Sequence, residues 1–157
     1  AFTVQYDFVF PKRFDLNYIN EKGEEEQVIV IHRSSIGAIE RVIAYLIEHY
    51  AGNFPAWLNP TQVIIVSVND SNLKFANEIL EKLKEKNIRA ELDSRAESVG
   101  KKVREAILTK PNYIITIGDK ESKIKKLAIR YRDGKLDFDI SPEKFIENLV
   151  EEIKLKK

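Results

Sequence analysis

Two hydrophobic periodicities follow each other in the first fifty residues. In "FTVQYDFVF", residues 2–10, every second side chain is apolar, which predicts one β-strand with an apolar face and a mostly polar face carrying Gln5. A Gly-bearing turn signal in "YINEKGEEEQ" precedes "VIVIH", a second strand that we expect to pair with the first. Ser34 and Ser35 are candidate N-caps of the helix that follows and runs to Tyr50. Because this helix is apolar on most of its faces, the sequence predicts that it is buried between layers.

The second part of the chain has a regular order of strands and helices. Apolar runs at "QVIIVSV", "IRAELD" and "NYIITIG" predict strands, and amphipathic stripes over 73–86 and 99–110 predict the helices between them. Two further strands flank Asp133-Gly134, which is a hairpin signal, and Ser141 caps a last helix. The order βαβαβ, then a hairpin, then a helix predicts an α/β fold with a mixed five-stranded sheet and helices on both faces.

A break in both patterns separates these two parts. Gly52, Pro55 and Pro60 interrupt the apolar periodicity in "AGNFPAWLNP", as is typical of a connection between domains. We therefore expect one domain over residues 1–58 and a second over residues 59–157.

Composition narrows the class of protein. The chain has 157 residues, 43% of them hydrophobic and 32% charged, which indicates a folded and soluble protein. No apolar run approaches the roughly 20 residues of a membrane helix, and no signal-peptide pattern precedes the first strand. The absence of cysteine excludes disulfides and thiol chemistry. We therefore expect a cytoplasmic protein without a membrane partner.

Charge is distributed unevenly along the chain. The net charge is +1, but residues 119–135 hold seven basic residues against three acidic ones. A local basic strip of this kind is either a footprint for nucleic acid or an ordinary solvated surface.

Candidate catalytic chemistry is sparse. No Gly-rich phosphate loop follows a strand and no nucleophile elbow is present. Of the two histidines, His32 ends a strand and His49 lies near a helix C-terminus, where a cation is favoured. Arg41 stands out because a guanidinium in a buried helix needs a carboxylate or a ligand. It could hold a polyphosphate at the helix start or pair with a carboxylate for structure, and the residues favour neither.

Several stretches resemble one known family. The Gly-x-Φ-Glu-Arg start of "GAIERVIAYLIEHY" (Φ is apolar) is similar to the third signature motif of the class II aminoacyl-tRNA synthetases. Six stretches follow, in order, the C-terminal part of the threonyl-tRNA synthetases within that class: "TVQYDF", "FDLNYI", "IHRSSIGAIER", "LIEHYAGNFPAWLNPTQV", "GKKVREA" and "GDKE". The resemblance covers essentially the whole chain. It implies that residues 1–58 are a strand–hairpin–helix remnant of an antiparallel catalytic domain, and that residues 59–157 are an anticodon-binding domain.

The same resemblance implies roles in the catalytic part. Arg41 matches the motif arginine that binds ATP phosphates and stabilises charge during adenylate formation, and Gly37 and Ala38 lie in the same ATP- and substrate-binding motif. Gln5 matches a strand glutamine that contacts substrate. His32 matches the third of three zinc ligands, whose zinc binds threonine. The other two ligands and the first two signature motifs are absent from this chain, so ATP with Mg²⁺ and Zn²⁺ are implied for the full-length enzyme, with none bound tightly here.

In the second domain, the resemblance implies an anticodon site. Arg104, Glu121 and Arg130 match positions that read anticodon bases, and Ala96 falls at a further such position. Lysines near Arg130, such as Lys125 and Lys126, would then add sequence-independent attraction to phosphates.

Three positions depart from the family pattern. Ala38 stands where the family usually has Ser, Ala96 where it has Asn, and Ser98 where it has Lys. We expect part of a threonine–tRNA ligase that binds threonine tRNA, uses threonine and ATP as a homodimer when full-length, and is inactive as this chain alone. The alternative is a free-standing paralogue that acts as an RNA- or protein-binding adaptor without ligase activity. A separate α/β enzyme is a third possibility, for which no site is recognisable.

Overall fold

The computed structural model describes residues 2–156. Contacts group the chain into two compact units, Ala1–His49 and Tyr50–Lys157. The second unit thus includes residues 50–58. Because a grouping by contacts does not show where an independently folding domain begins, the domain boundary between residues 58 and 59 stays a prediction.

The first unit is built from short antiparallel strands and two helices. Strand β1 pairs antiparallel with β4, as predicted, and β2 pairs antiparallel with β3. Gly23, with a φ of +80°, lies in the turn between β2 and β3. The elements are β1 (Thr3–Asp7), α1 (Val9–Arg13), β2 (Asn17–Ile19), β3 (Glu25–Gln27), β4 (Val30–Ser34) and α2 (Ile39–Tyr50).

The first strand is shorter than predicted. It ends at Asp7, whose Oδ1 accepts hydrogen bonds from the N–H groups of Val9 (2.8 Å) and Phe10 (2.9 Å). This carboxylate turns the chain into α1, so Phe8 and Phe10 do not continue the strand. The prediction of one strand through Phe10 was wrong, because alternating apolar residues do not reveal where a side chain captures the backbone N–H groups.

Helix α2 also begins later than predicted. The Ser34 hydroxyl accepts a hydrogen bond from the Gly37 N–H (2.9 Å) and closes a turn that precedes the helix. Gly37 has a φ of +74°, in the left-handed region that favours glycine. The helix itself begins at Ile39, so the prediction that Ser34 or Ser35 is its N-cap was wrong.

The prediction that α2 is buried was also wrong for this chain. No residue of α2 is buried, and Ile39, Ile43 and Ile47 are 67%, 49% and 50% exposed. Among residues 2–49, Pro11 alone is buried. The apolar pattern identified the helix, but burial requires a second layer, and the first unit does not supply one. An apolar surface this extensive is typical of a face that another protein surface covers.

The second unit is a mixed five-stranded sheet with helices. The strand order is β6-β5-β7-β8-β9, in which β5, β6 and β7 are parallel and β8 and β9 run antiparallel, so the predicted fold class is confirmed. Helix α5 was not predicted, because six residues are too few to show a helical period. The elements are β5 (Val63–Ser67), α3 (Leu73–Glu85), β6 (Ala90–Asp93), α4 (Val99–Leu108), β7 (Tyr113–Ile117), α5 (Asp119–Ile124), β8 (Leu127–Tyr131), β9 (Leu136–Ile140) and α6 (Pro142–Lys154).

Alternate residues of the central strand divide between two cores. Val63 and Ile65 pack into the larger core with residues of α3 and α6. Ile64 and Val66 pack into a smaller core, to which α4 contributes Ala106. Both faces of the sheet therefore carry helices, but of the described helices only α4 contributes to the buried cluster on the second face.

The segment before β5 is anchored by one buried amide. Gln62 is fully buried, and its Nε2 donates to the Ala56 carbonyl (2.7 Å) while its Oε1 accepts from the Arg89 N–H (2.7 Å). The Arg89 guanidinium also donates to the carbonyls of Asn59 (2.8 Å), Ala56 (3.2 Å) and Trp57 (3.2 Å). These bonds hold residues 56–59 against the start of the sheet.

We predict that Gln62→Ala destabilises the second unit by about 2–4 kcal/mol. The substitution leaves the Arg89 N–H without its acceptor, which costs about 1–3 kcal/mol. It also removes one of the two donors to the Ala56 carbonyl and the packing of a fully buried side chain. Urea unfolding followed by the fluorescence of Trp57, the single tryptophan, measures this loss. The matched control is Asn77→Ala, which removes an exposed amide bonded to the Leu73 carbonyl and should cost under about 0.5 kcal/mol. Equal unfolding midpoints for the two variants would contradict the anchoring role.

Candidate functional site

The second face of the sheet carries an open cavity beside α4. Its volume is about 370 Å³, and its lining includes Val103 from α4, Glu121 from α5, Arg130 from β8 and Phe138 from β9. The cavity exists because α4 does not extend over the two antiparallel strands. Four separate elements therefore bring polar and aromatic side chains to one concave surface.

Arg130 lies on this face by strand register. It pairs across the sheet with Ile114, which belongs to the smaller core, so both side chains project toward the α4 side. The guanidinium is half-buried and has no hydrogen-bond or ion-pair partner among residues 2–156. An arginine that pairs with no carboxylate keeps all five donors available to a ligand.

Glu121 is held in place by its own helix. Its Oε2 accepts a hydrogen bond from the Gly118 N–H (2.9 Å) at the start of α5. An added methyl group at Gly118 would lie 3.1 Å from that oxygen and 3.3 Å from Val68 Cγ2, so a larger residue would force one of these side chains to shift by a few tenths of an ångström. The bond to Gly118 orients the carboxylate, and the oxygen Oε1 remains available to accept from a ligand donor.

Arg104 and Ala96 lie outside this cavity. Arg104 lies on α4 and Ala96 in the loop before it, both exposed, and neither lines the cavity that Glu121 and Arg130 share. The loop is held by Arg95, which donates to Asp93 (2.7 Å) and Glu105 (2.7 Å), and the Arg95 hydrogen bonds lower the pKa of Asp93. The structure therefore brings together two of the four predicted anticodon residues.

Two apolar residues at the cavity were missed from the sequence. Phe138 is 58% exposed and Leu136 is 43% exposed, and both line the cavity from β9. An exposed aromatic ring beside an arginine is a stacking surface for an unpaired base. The alternation in "LDFDI" places these two residues on one side of the strand, but the pattern does not show that the side lacks a covering helix.

The basic strip does not form a single surface around Arg130. Lys125 lies 4.2 Å from the ring centroid of Phe75 and 3.4 Å from Glu78, both on α3, which packs on the other face of the sheet. The expectation that Lys125 lies near Arg130 was therefore wrong. Lys125 is itself the left-handed residue at the end of α5, and this conformation directs its side chain away from Arg130.

In the first unit, Gln5 and His32 are cross-strand neighbours. They occupy paired positions of β1 and β4, so their side chains share the polar face of the pair. Asp7 Oδ2 lies 3.6 Å from His32 Nε2 on the same face, and hydrogen bonds from the N–H groups of Phe10 and Val9 lower the pKa of Asp7.

Arg41 lies in the first turn of α2. The sequence predicted that it lies in a buried helix, but the open surface of α2 leaves its side chain exposed. The turn just before it contains Gly37 and Ala38, and the N–H of Arg41 donates to the Ala38 carbonyl (3.1 Å). No carboxylate pairs with Arg41 among residues 2–156, so its charge remains available to an anion. This favours the hypothesis of phosphate binding over that of a structural ion pair.

The residues present do not make a zinc site by themselves. Residues 2–156 contain no group of three His, Cys, Asp or Glu side chains that could hold a metal ion. A zinc site that binds substrate needs three protein ligands, and the resemblance predicts one in this chain, His32.

Models of two known families match the two parts of the chain. Residues 62–152, more than half of the chain, match the anticodon binding domain. The chain belongs to the anticodon-binding domain family. Residues 1–50 match the class II core domain of tRNA synthetases for G, H, P, S and T.

Similar curated proteins are threonine–tRNA ligases. The one from Pelobacter propionicus is 47% identical over 152 residues, and the one from Clostridium botulinum strain Hall is 48% identical over 155 residues. These alignments cover 97% and 98% of this chain but 24% of each relative, so the chain spans about a quarter of their length. The predicted resemblance to the C-terminal part of threonyl-tRNA synthetases is confirmed.

Solved structures agree with the fold. The RNA binding domain of threonyl-tRNA synthetase from Cryptosporidium parvum superposes with a TM-score of 0.71 at 30% identity, over 96% of this chain and 38% of that one. Prolyl-tRNA synthetase from the same organism superposes with a TM-score of 0.66 at 21% identity, over 94% of this chain and 32% of that one, which shows a shared fold. Within residues 2–156, every helix is too short or too polar to cross a bilayer.

We predict that Glu121→Ala and Glu121→Gln have different effects on stability. The alanine removes the acceptor for the Gly118 N–H and should cost about 1 kcal/mol, whereas glutamine keeps a carbonyl oxygen and should cost about half as much or less. Urea unfolding followed by Trp57 fluorescence distinguishes them. If both variants unfold with the wild type, the carboxylate is not held by this bond.

Proposed function

We propose that the second unit binds the anticodon region of threonine tRNA, within a threonine–tRNA ligase. The observation that carries the proposal is the shared cavity in which an unpartnered Arg130 and an oriented Glu121 lie beside the exposed ring of Phe138. Family membership and the threonine–tRNA ligase relatives support the same function.

The chemistry of the cavity suits unpaired bases. A guanidinium can donate two parallel hydrogen bonds to one guanine edge, a discrimination worth about 1–3 kcal/mol in duplex readout. Glu121 can only accept, so it selects base edges that carry exocyclic amines. Phe138 offers a stacking surface that tolerates every base, and specificity therefore rests on the two charged groups.

For the first unit, we propose a contribution to ATP-dependent threonylation. The class II core match implies ATP use, and Arg41, exposed at a helix start beside Gly37 and Ala38, would hold substrate phosphates accompanied by Mg²⁺. Gln5, on the polar face of β1, would contact the threonine substrate. The exposed apolar faces of this unit suit a larger core domain and a homodimer that cover them. We also propose a cytoplasmic location, as for an enzyme that acts on tRNA.

We predict that the chain prefers RNA hairpins carrying a threonine anticodon and that Arg130→Ala abolishes this preference. The loss should be about 5- to 100-fold on the cognate hairpin, because a bidentate base contact disappears. Lys126→Ala should weaken cognate and anticodon-swapped hairpins alike and flatten the salt dependence, as expected of a phosphate contact. Fluorescence anisotropy over a salt series measures both.

The control for this experiment is Lys74→Ala. Lys74 is exposed on α3, which packs against the opposite face of the sheet, so its loss should change neither affinity nor preference. A wild type that binds cognate and swapped hairpins equally at low salt would contradict anticodon binding and favour the adaptor hypothesis.

We predict that the 157-residue chain alone does not activate threonine. The class II core match is confined to residues 1–50, and the described residues hold no set of zinc ligands. Threonine-dependent exchange of pyrophosphate into ATP should stay at the level of a no-protein blank. Exchange above that blank, lost in Arg41→Ala but kept in Arg33→Ala, would show that the chain carries a complete site.

A further inference from the structure

A second cavity of about 370 Å³ shares Arg130 with the first cavity, which Glu121 and Phe138 also line. Its lining runs from the end of α4 to the turn between β8 and β9, and includes Lys110 and Arg132. A pocket of this volume is within the size range of small-ligand sites.

The cations of this cavity are held by backbone carbonyls. Lys110 Nζ donates to the Ala51 carbonyl (2.6 Å). Arg132 Nη2 donates to the carbonyls of Phe54 (2.9 Å) and Lys110 (3.2 Å), and its Nε donates to that of Pro111 (3.3 Å). Carbonyl partners fix the positions of both side chains without neutralising their charge.

The cavity is therefore positive. Among the described residues, neither Lys110, Arg130 nor Arg132 forms an ion pair with a carboxylate. Asp133 is the single acidic residue of the lining, and its Oδ1 is already bound to the N–H of Lys135 (2.9 Å). Lys110 keeps two unused donors and Arg132 keeps those of Nη1, so an anion can bind without displacing the carbonyls.

The apolar part of the lining indicates more than a bare ion. Ile107, which is 50% exposed, and Pro111 form walls beside the cations. A nucleotide combines a phosphate with a flat apolar face. An RNA strand that leaves the first cavity would reach this second cavity next.

We infer that this cavity binds a nucleotide next to the anticodon triplet, through its backbone phosphate at Lys110 and Arg132. The inference rests on the proposed function and extends it, because recognition then includes a sequence-independent contact outside the triplet. The contact would add affinity without adding preference for one anticodon.

The test combines Lys110→Gln with single neutral linkages in the RNA. Glutamine keeps a donor for the Ala51 carbonyl but removes the charge, and Lys110→Arg keeps the charge. Each RNA hairpin of the series carries a single methylphosphonate, at a different linkage of the loop. Lys110→Gln should weaken binding about 5-fold for every anticodon and lower the salt slope by about 0.7, the value for one phosphate on a single strand.

One linkage outside the triplet should depend on the same lysine. Neutralising that linkage should lower the RNA affinity of the wild type and of Lys110→Arg about 5-fold. The RNA affinity of Lys110→Gln should not change. Lys74→Gln serves as the charge-loss control and should respond as the wild type does. The Trp57 unfolding midpoint of Lys110→Gln confirms that the variant is folded.

The outcomes separate this inference from the proposed function. If Arg130→Ala loses the cognate preference but no linkage couples to Lys110, the inference fails and anticodon binding stands. If neither effect occurs, both fail. Binding of millimolar inorganic phosphate that Lys110→Gln abolishes, without any linkage effect, would overturn the RNA assignment in favour of a free-phosphate site.

Discussion

Unequal covering of the two faces of the five-stranded sheet is the constraint on which the candidate site depends. Side chains of a strand alternate between faces, so every strand contributes to both. Helices α3 and α6 fill one face with the larger core, whereas among the helices of residues 2–156 only α4 contributes to the smaller core on the other. The antiparallel strands β8 and β9 therefore keep one open side. Arg130 and Phe138 lie on that side because of strand register, and their exposure follows from the missing cover.

Backbone interactions position charged groups on this surface and leave them available to ligands. Glu121 is oriented by the N–H of Gly118, and Lys110 and Arg132 are held by carbonyls. A charge oriented in this way keeps its electrostatic effect, whereas a charge in an ion pair is largely compensated. Lys125, by contrast, pairs with Glu78 on the opposite side of the sheet. Basic residues of one sequence strip therefore differ in whether their charge is available to a ligand.

The first unit shows what the same physics produces without a second layer. Strands β1 and β4 and helix α2 form in the segments that the apolar periodicities predict, although β1 ends earlier and α2 begins later, yet only Pro11 is buried among residues 2–49. Local hydrogen bonds, such as those from Val9 and Phe10 to Asp7, hold the elements, while Ile39 and Ile43 remain exposed. The unit matches the class II core domain of tRNA synthetases, and its exposed apolar faces are typical of surfaces that another protein surface covers.

The sequence by itself determined the order and type of most elements, the mixed sheet and the family, because hydrophobic periodicity, turn residues and motif order are local properties. It also placed Glu121 and Arg130 among the candidate residues through that resemblance. Only the tertiary structure decided that these two share a cavity, that Phe138 joins them and that Lys125 does not. It also ended β1 at Asp7 and left α2 uncovered. The capture of the Val9 and Phe10 N–H groups by Asp7 is local, but it is a polar interaction that hydrophobic periodicity does not register. A covering layer depends on residues distant in sequence, and periodicity along one segment carries no information about them.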